Sequence, residues 1–195
     1  GYVGDAFING GEFKLTDDAW TADGDNRANL SITRNTTIDL NGHTLTISRS
    51  GQYFDVHNGA KLTIMDSKAP QETVTDSDRT VYGNKATLEN DTLTYYITTS
   101  TPSGTGTGTR ETLKQHTVPL TGAGKLLCGE ASDQAILVKG TLELRSGVLQ
   151  NTGGKHIVTV DGGRLDVNGG YIVGGGSQGN PGGGIYVTNG TLNIS

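Results

Sequence analysis

Apolar and polar residues alternate in short bursts along this chain, and a glycine-containing turn interrupts each burst. Five such phrases stand out. They are TIDLNGHTLTI (37–47), YFDVHNGAKLTI (53–64), AILVKGTLELRSGVL (135–149), IVTVDGGRLDVNGGYIV (157–173) and GIYVTNGTLNI (184–194). A period of two puts alternate side chains on one face of a strand, so each phrase reads as strand, turn, strand with one face turned inward.

A leucine opens the second strand of every phrase, at Leu45, Leu62, Leu142, Leu165 and Leu192, spaced 17, 80, 23 and 27 residues apart. Three of these steps are near the length of one solenoid coil, and the step of 80 contains an insertion. Self-similar coils of short strands bury their apolar positions only by stacking on one another, which is the logic of a parallel β-helix. A meander of hairpins is the competing reading, because Asn-Gly between alternating strands also marks a hairpin. Recurrence of Val56, Val138, Val160 and Val187 before the turn, with leucine after it, favours the solenoid. On that reading Asn41, Asn58, Lys139, Asp161 and Asn189 precede the first turn glycine and stack in one column, where asparagine tolerates left-handed backbone and bonds neighbouring turns.

The stretches NTTIDLNGHTLTIS, NGAKLTIMDS and GGGIYVTNGTLNIS carry a resemblance as well. The chain resembles, over about residues 30–66 and 122–195, the right-handed parallel β-helix regions of large secreted or cell-wall-attached bacterial surface proteins, pectate-lyase-like in architecture. The resemblance implies an all-β, right-handed parallel β-helix that forms the body of an extracellular, adhesin-like protein. The matching residues are turn and core positions, so they speak for fold.

Four segments follow. Residues 1–34 read as an N-terminal cap or atypical first coil, with Phe13 and Trp20 closing the core; an exposed Trp20 would instead suit a sugar ring. Residues 35–66 and 122–195 are coils. Residues 67–121 break the repeat with two strand-like runs, TVYGNKATLEN and TLTYYITTS, and a Thr-Gly tract over 104–109 that reads as a flexible tip. An excursion of that length is too long for a passive turn, and insertions on solenoids are places where binding resides. Tyr82, Tyr95 and Tyr96 are therefore the contact residues expected there, unless they pack a hairpin instead. The last phrase stops inside a strand, which creates the expectation that further coils follow Ser195.

Composition supports the all-β reading: 31 glycines and frequent threonine disfavour helix. A net charge of −5 and a pI near 5.3 give no basic footprint for nucleic acid. No run approaches the roughly 18 to 20 apolar residues that cross a bilayer, so membrane insertion by a helix is not expected. Gly1 opens no signal peptide, which suggests a mature chain or part of one. Cys128 is the single cysteine, and within GKLLCGE it reads as a buried small residue. A disulfide-free extracellular chain suits a bacterial source.

Chemistry is harder to find. GTGTGTR lacks a strand-to-helix setting and GAGKLL lacks the rest of a phosphate loop, so no nucleotide or other cofactor is expected. His43, His57, His116 and His156 show no metal-ligand spacing, although His43 and His57 fall in adjacent turns. Carbohydrate-cleaving β-helices gather carboxylates on an outer sheet, and Asp39, Asp55 and Asp166 with Arg145 and Arg164 are the residues that would serve here. Alternation places polar residues on that face in any case. Two functions are thus expected in order: a non-enzymatic surface stalk or adhesin contacting a host protein or glycan, and a polysaccharide lyase or hydrolase with an acidic groove.

Overall fold

The computed structural model describes residues 1–22, 29–70, 72–79, 86–102, 104, 109–128, 134–152, 156–174 and 184–195. These residues hold strands and no helix, and they form two compact units, Gly1–Ala69 with Gly122–Ser195 and Pro70–Thr121.

The larger unit is a parallel β-solenoid of about 5 turns. A full turn carries three strand positions. The first turn supplies only the second and third, β1 (Gly11–Lys14) and β2 (Ala19–Trp20). The next has all three, β3 (Leu30–Ile32), β4 (Thr36–Asp39) and β5 (Thr44–Ile47). After β6 (Phe54–Val56) and β7 (Lys61–Met65) the chain leaves for the smaller unit, in which β8 (Thr75–Arg79), β9 (Thr87–Glu89), β10 (Thr92–Pro102) and β11 (Thr109–Pro119) lie. It re-enters the same turn at β12 (Lys125–Cys128). The remaining turns are β13 (Ile136–Val138), β14 (Thr141–Leu144) and β15 (Val148–Asn151), then β16 (Val158–Val167) and β17 (Tyr171–Gly174), then β18 (Ile185–Ile194). In β16 and β18 the first and second positions run together as one strand.

Register turns the sequence alternation into columns. Ile32, Val56, Val138, Val160 and Val187 stack at the first position. Leu62, Leu142, Leu165 and Leu192 stack at the second. Both columns are fully buried through the middle turns, and β18 leaves Val187 and Leu192 exposed at the edge of the sheet. At roughly 1.5 to 3 kcal/mol per buried aliphatic side chain, these columns are the main favourable term of the solenoid.

Two expectations need correction here. Leu45 does not join the leucine column: it pairs with Leu126 at the third position, where Ala19, Leu45, Leu126, Leu149 and Ile172 stack. Asn41 likewise stands at the corner between second and third positions, whereas Asn58, Lys139, Asp161 and Asn189 stand at the corner between first and second. The phrase TIDLNGHTLTI is therefore one strand out of phase with the other four. Strand, turn, strand occurs at both corners, so an Asn-Gly turn does not say which corner it makes. Within the true column only Asp161 and Asn189 are register partners, because the corners differ in length: residues 57–60 fill one and 139–140 the next.

Trp20 does not close the core. In β2 Ala19 is buried and Trp20 is 44% exposed. Phe7 takes the expected place instead, buried edge-on to the half-buried Phe13 at 5.1 Å between ring centres and 5.8 Å from Phe54.

The smaller unit is an antiparallel sheet in the order β8, β11, β10, β9. Asn90 and Asp91, with φ of 50° and 56°, make the two-residue turn between β9 and β10, the left-handed pair that matches strand twist in a hairpin.

Candidate functional site

The outer face of the second-position strands carries a row of polar side chains. Thr37, Thr63, Glu143, Asp166 and Asn193 follow one another across it in register. Alternation puts these outward while Leu142 and Leu165 point in. Glu143 and Asp166 are thus like charges on neighbouring strands, an arrangement that costs stability unless cations answer it.

Cations do answer it. Lys61 Nζ lies 2.9 Å from Glu143 Oε1, Arg145 Nε donates to Oε2 at 3.1 Å, and Asn168 Nδ2 donates to Oε2 at 3.1 Å. The Arg145 and Lys61 hydrogen bonds outweigh partial burial and hold Glu143 down at about 2. Arg164 Nε donates to both oxygens of Asp166 at 2.9 and 3.0 Å, and Asn193 Nδ2 adds a bond at 3.2 Å. Arg164 lowers the Asp166 pKa, with Asn193 helping and the neighbouring Glu143 charge opposing.

Asp39 has a different role from the one its outward position suggests. Burial pushes its pKa up, but the Ser67 and Asn41 backbone N–H groups, each 2.9 Å from Oδ1, win and leave it lowered. It shapes the corner. Asp66, one turn on, does the same from a buried position, with Oδ1 accepting from Gly42 and Lys68 and Oδ2 from Gly124 at 2.6 Å. Asn41 completes this corner: Nδ2 donates to Leu15 O at 2.9 Å and Ser67 Oγ donates to Oδ1 at 3.2 Å, so three turns are joined. The sequence hint was Asp39-x-Asn41 and Asp66-x-Lys68, an aspartate two residues ahead at the same corner of two successive turns.

Asp55 sits at the first position, where its Oδ2 is 3.5 Å from His57 Nε2. His43 lies at the other corner, 3.6 Å from Asp18, so the two histidines face different carboxylates rather than each other. Among the described residues no cluster of three His, Cys, Asp or Glu could hold a metal ion. Shallow grooves flank the polar row. One of about 400 Å³ runs past Asn58, Lys61, Lys139 and Arg164, and one of about 480 Å³ past Glu12, Lys14, Asp39 and Arg145.

In the smaller unit Tyr95, His116 and Asp76 align across β10, β11 and β8. Tyr95 stacks on His116, ring centres 5.1 Å apart and 12° from parallel. Lys114 Nζ is 2.7 Å from Asp76 Oδ2, and that bond lowers the Asp76 pKa. Tyr96 adjoins Tyr95 in β10 and so takes the opposite face, and both are half-buried. The structure does not bring Trp20 together with the tyrosines in one unit. Tyr82 and most of the Thr-Gly tract lie outside the described residues. No known protein family, curated protein or solved structure matches the chain.

Proposed function

We propose that this chain is a segment of a non-enzymatic extracellular bacterial surface protein, a β-solenoid stalk or adhesin that binds a host protein or a glycan. The observation that carries this reading is the pairing of the outer-face carboxylates. Glu143 and Asp166 each have an arginine bound and a pKa held low. General acid catalysis by a glycosidase needs a carboxyl whose pKa is raised. A face of ready-made ion pairs instead gives a stiff, mixed-charge surface suited to hydrogen bonding with a partner. The Tyr95 and His116 stack in the smaller unit adds an aromatic contact of the type glycans and protein partners use.

The test is a glycan array and a panel of host matrix proteins probed with the intact chain and with Tyr95→Ala. Saturable binding that Tyr95→Ala weakens at least tenfold supports the reading and assigns the contact. Release of reducing or unsaturated sugars from a polysaccharide panel, lost in Glu143→Gln, would replace it with the lyase or hydrolase.

A further inference from the structure

In an asparagine followed by glycine, the backbone nitrogen of the glycine can close a five-membered ring on the side-chain amide, because no Cβ stands in its way. The chain has five such pairs, beginning at Asn9, Asn41, Asn58, Asn168 and Asn189. Closure needs a carboxamide free to turn and a glycine N–H free of an acceptor, so the hydrogen bonds of the fold decide which pair can react. The Gly10 N–H donates to Phe7 O at 3.1 Å and the Gly42 N–H to Asp66 Oδ1 at 2.9 Å. Asn41 is held a second time through its own side chain, by Leu15 and Ser67. The Asn168 carboxamide is engaged at both ends, with Nδ2 donating to Glu143 and Oδ1 accepting from Ser195. Asn189 lies within β18, and the next residue, Gly190, is packed so closely on Gly163 O that an added Cβ would overlap it.

Asn58 and Gly59 differ on each count. They are the middle residues of the turn 57–60, which the Ala60 N–H closes on His57 O at 3.0 Å with Gly59 at a φ of 86°. Both are exposed. Among the described residues neither the Asn58 carboxamide nor the Gly59 N–H has a hydrogen-bond partner. Nothing stands within 4 Å of a Cβ built on Gly59, so the ring has room to form. Lys61 and Lys139 line the groove beside this turn and supply positive charge next to the carboxamide oxygen, where negative charge develops.

We propose that Asn58 is a self-modification site, the Asn-Gly pair that the native fold leaves open to conversion into aspartate and isoaspartate without a partner enzyme. Hydroxide removes the Gly59 amide proton, and the freed electron pair on nitrogen attacks Asn58 Cγ. The Cγ–Nδ2 bond breaks and the nitrogen leaves as ammonia, taking its extra proton from water, which closes a succinimide. One water then opens the ring. Attack at Cγ gives aspartate, and attack at the backbone carbonyl of Asn58 gives isoaspartate, which adds a methylene to the main chain at the corner. Either product puts a carboxylate at the edge of the groove beside Lys61 and Lys139. The reaction uses the chain's own backbone and water alone, so this inference stands or falls without the proposed function.

The test is to hold the intact folded chain in mildly alkaline buffer and follow all five pairs by peptide mapping with mass spectrometry, with isoaspartate identified by enzymatic methylation. Asn58 is expected to convert at least tenfold faster than Asn9, Asn41, Asn168 or Asn189, at a rate that rises with hydroxide concentration. In guanidinium, where no fold protects the other four, the five rates should come within a few fold of one another. Gly59→Ala is expected to keep the circular dichroism of the parent and to slow conversion of Asn58 at least tenfold, because its methyl group crowds the attacking nitrogen. If Gly59→Ala does not fold, the comparison of folded and unfolded parent decides alone. Faster conversion at any other pair in the folded chain, the same order of rates in guanidinium, or an undiminished rate in a folded Gly59→Ala would each overturn the assignment.

Discussion

The buried Asp66 carboxylate accepts the Gly124 backbone N–H at 2.6 Å, closing a bond between residues 58 apart in sequence but on one corner of the solenoid. Gly42 and Lys68 donate to the other oxygen. Asp66→Ala leaves three donors without an acceptor and is expected to cost about 3 kcal/mol, the scale of stranding buried backbone donors. Asp66→Asn keeps one oxygen and falls between. Urea midpoints at constant slope would check the order; an alanine variant as stable as the parent would show that water replaces the carboxylate.

The parts of this fold that were legible in the sequence are those where a side chain pattern is itself the cause. Val56, Val138, Val160 and Val187 form a column because period-two alternation and stacking leave them no other place. The phase of Leu45 was not legible, since the same local pattern makes either corner. Strand β8, TDSDR, carries no apolar residue in its sequence and is held by backbone pairing to β11 that no alternation announces. Asp66 escaped notice because its partners are backbone N–H groups, which every residue but proline carries. The Tyr95 and His116 stack depends on the register of β10 against β11, and nothing local in either strand fixes it.

Stability should fall with acid in a window set by the outer face. Glu143 is held at about 2 in the folded chain against an ordinary value of 4.5, so its contribution is complete above the ordinary value and disappears as pH drops through about 2. Asp166 and Asp39 are lowered too and act in the same direction. Urea midpoints measured from pH 7 down to 2 should decline mainly below pH 4.5. Glu143→Gln should lose about 1 kcal/mol at pH 7, the scale of an exposed ion pair, and show a shallower decline. An identical acid slope in the variant would move the effect to other carboxylates.

The hairpin turn at Asn90 and Asp91 places two non-glycine residues in left-handed backbone. Asparagine accepts that conformation more readily than aspartate followed by a strand, and glycine accepts it freely. Asp91→Gly is expected to stabilise the sheet of the smaller unit by about 0.5 to 1 kcal/mol, and Asp91→Val to destabilise it. Amide exchange of Leu93 and Thr94 would report both signs locally. Slower exchange in the valine variant would contradict the turn geometry.

Two glycines at the same type of corner separate conformational from steric need. Gly59 has φ of 86° with nothing within 4 Å of an added Cβ, so Gly59→Ala pays only for left-handed backbone, about 1 kcal/mol. At Gly140 no positive φ is involved, but an added Cβ would run into the backbone oxygens of His57 and Ala60 in the turn before. Backbone carbonyls in a stacked coil cannot rotate away without breaking the ladder, so Gly140→Ala should cost about 3 kcal/mol, the upper range for overpacking. The same contact recurs with Gly163 against Gly140 O and Gly190 against Gly163 O, which makes glycine the residue that sets how closely the turns approach. Thermal or urea unfolding of the two alanine variants side by side is the check. Equal losses would mean that the corner at Gly140 opens to admit a methyl group, and the close stacking of the turns there would then be a feature of packing preference rather than of steric necessity.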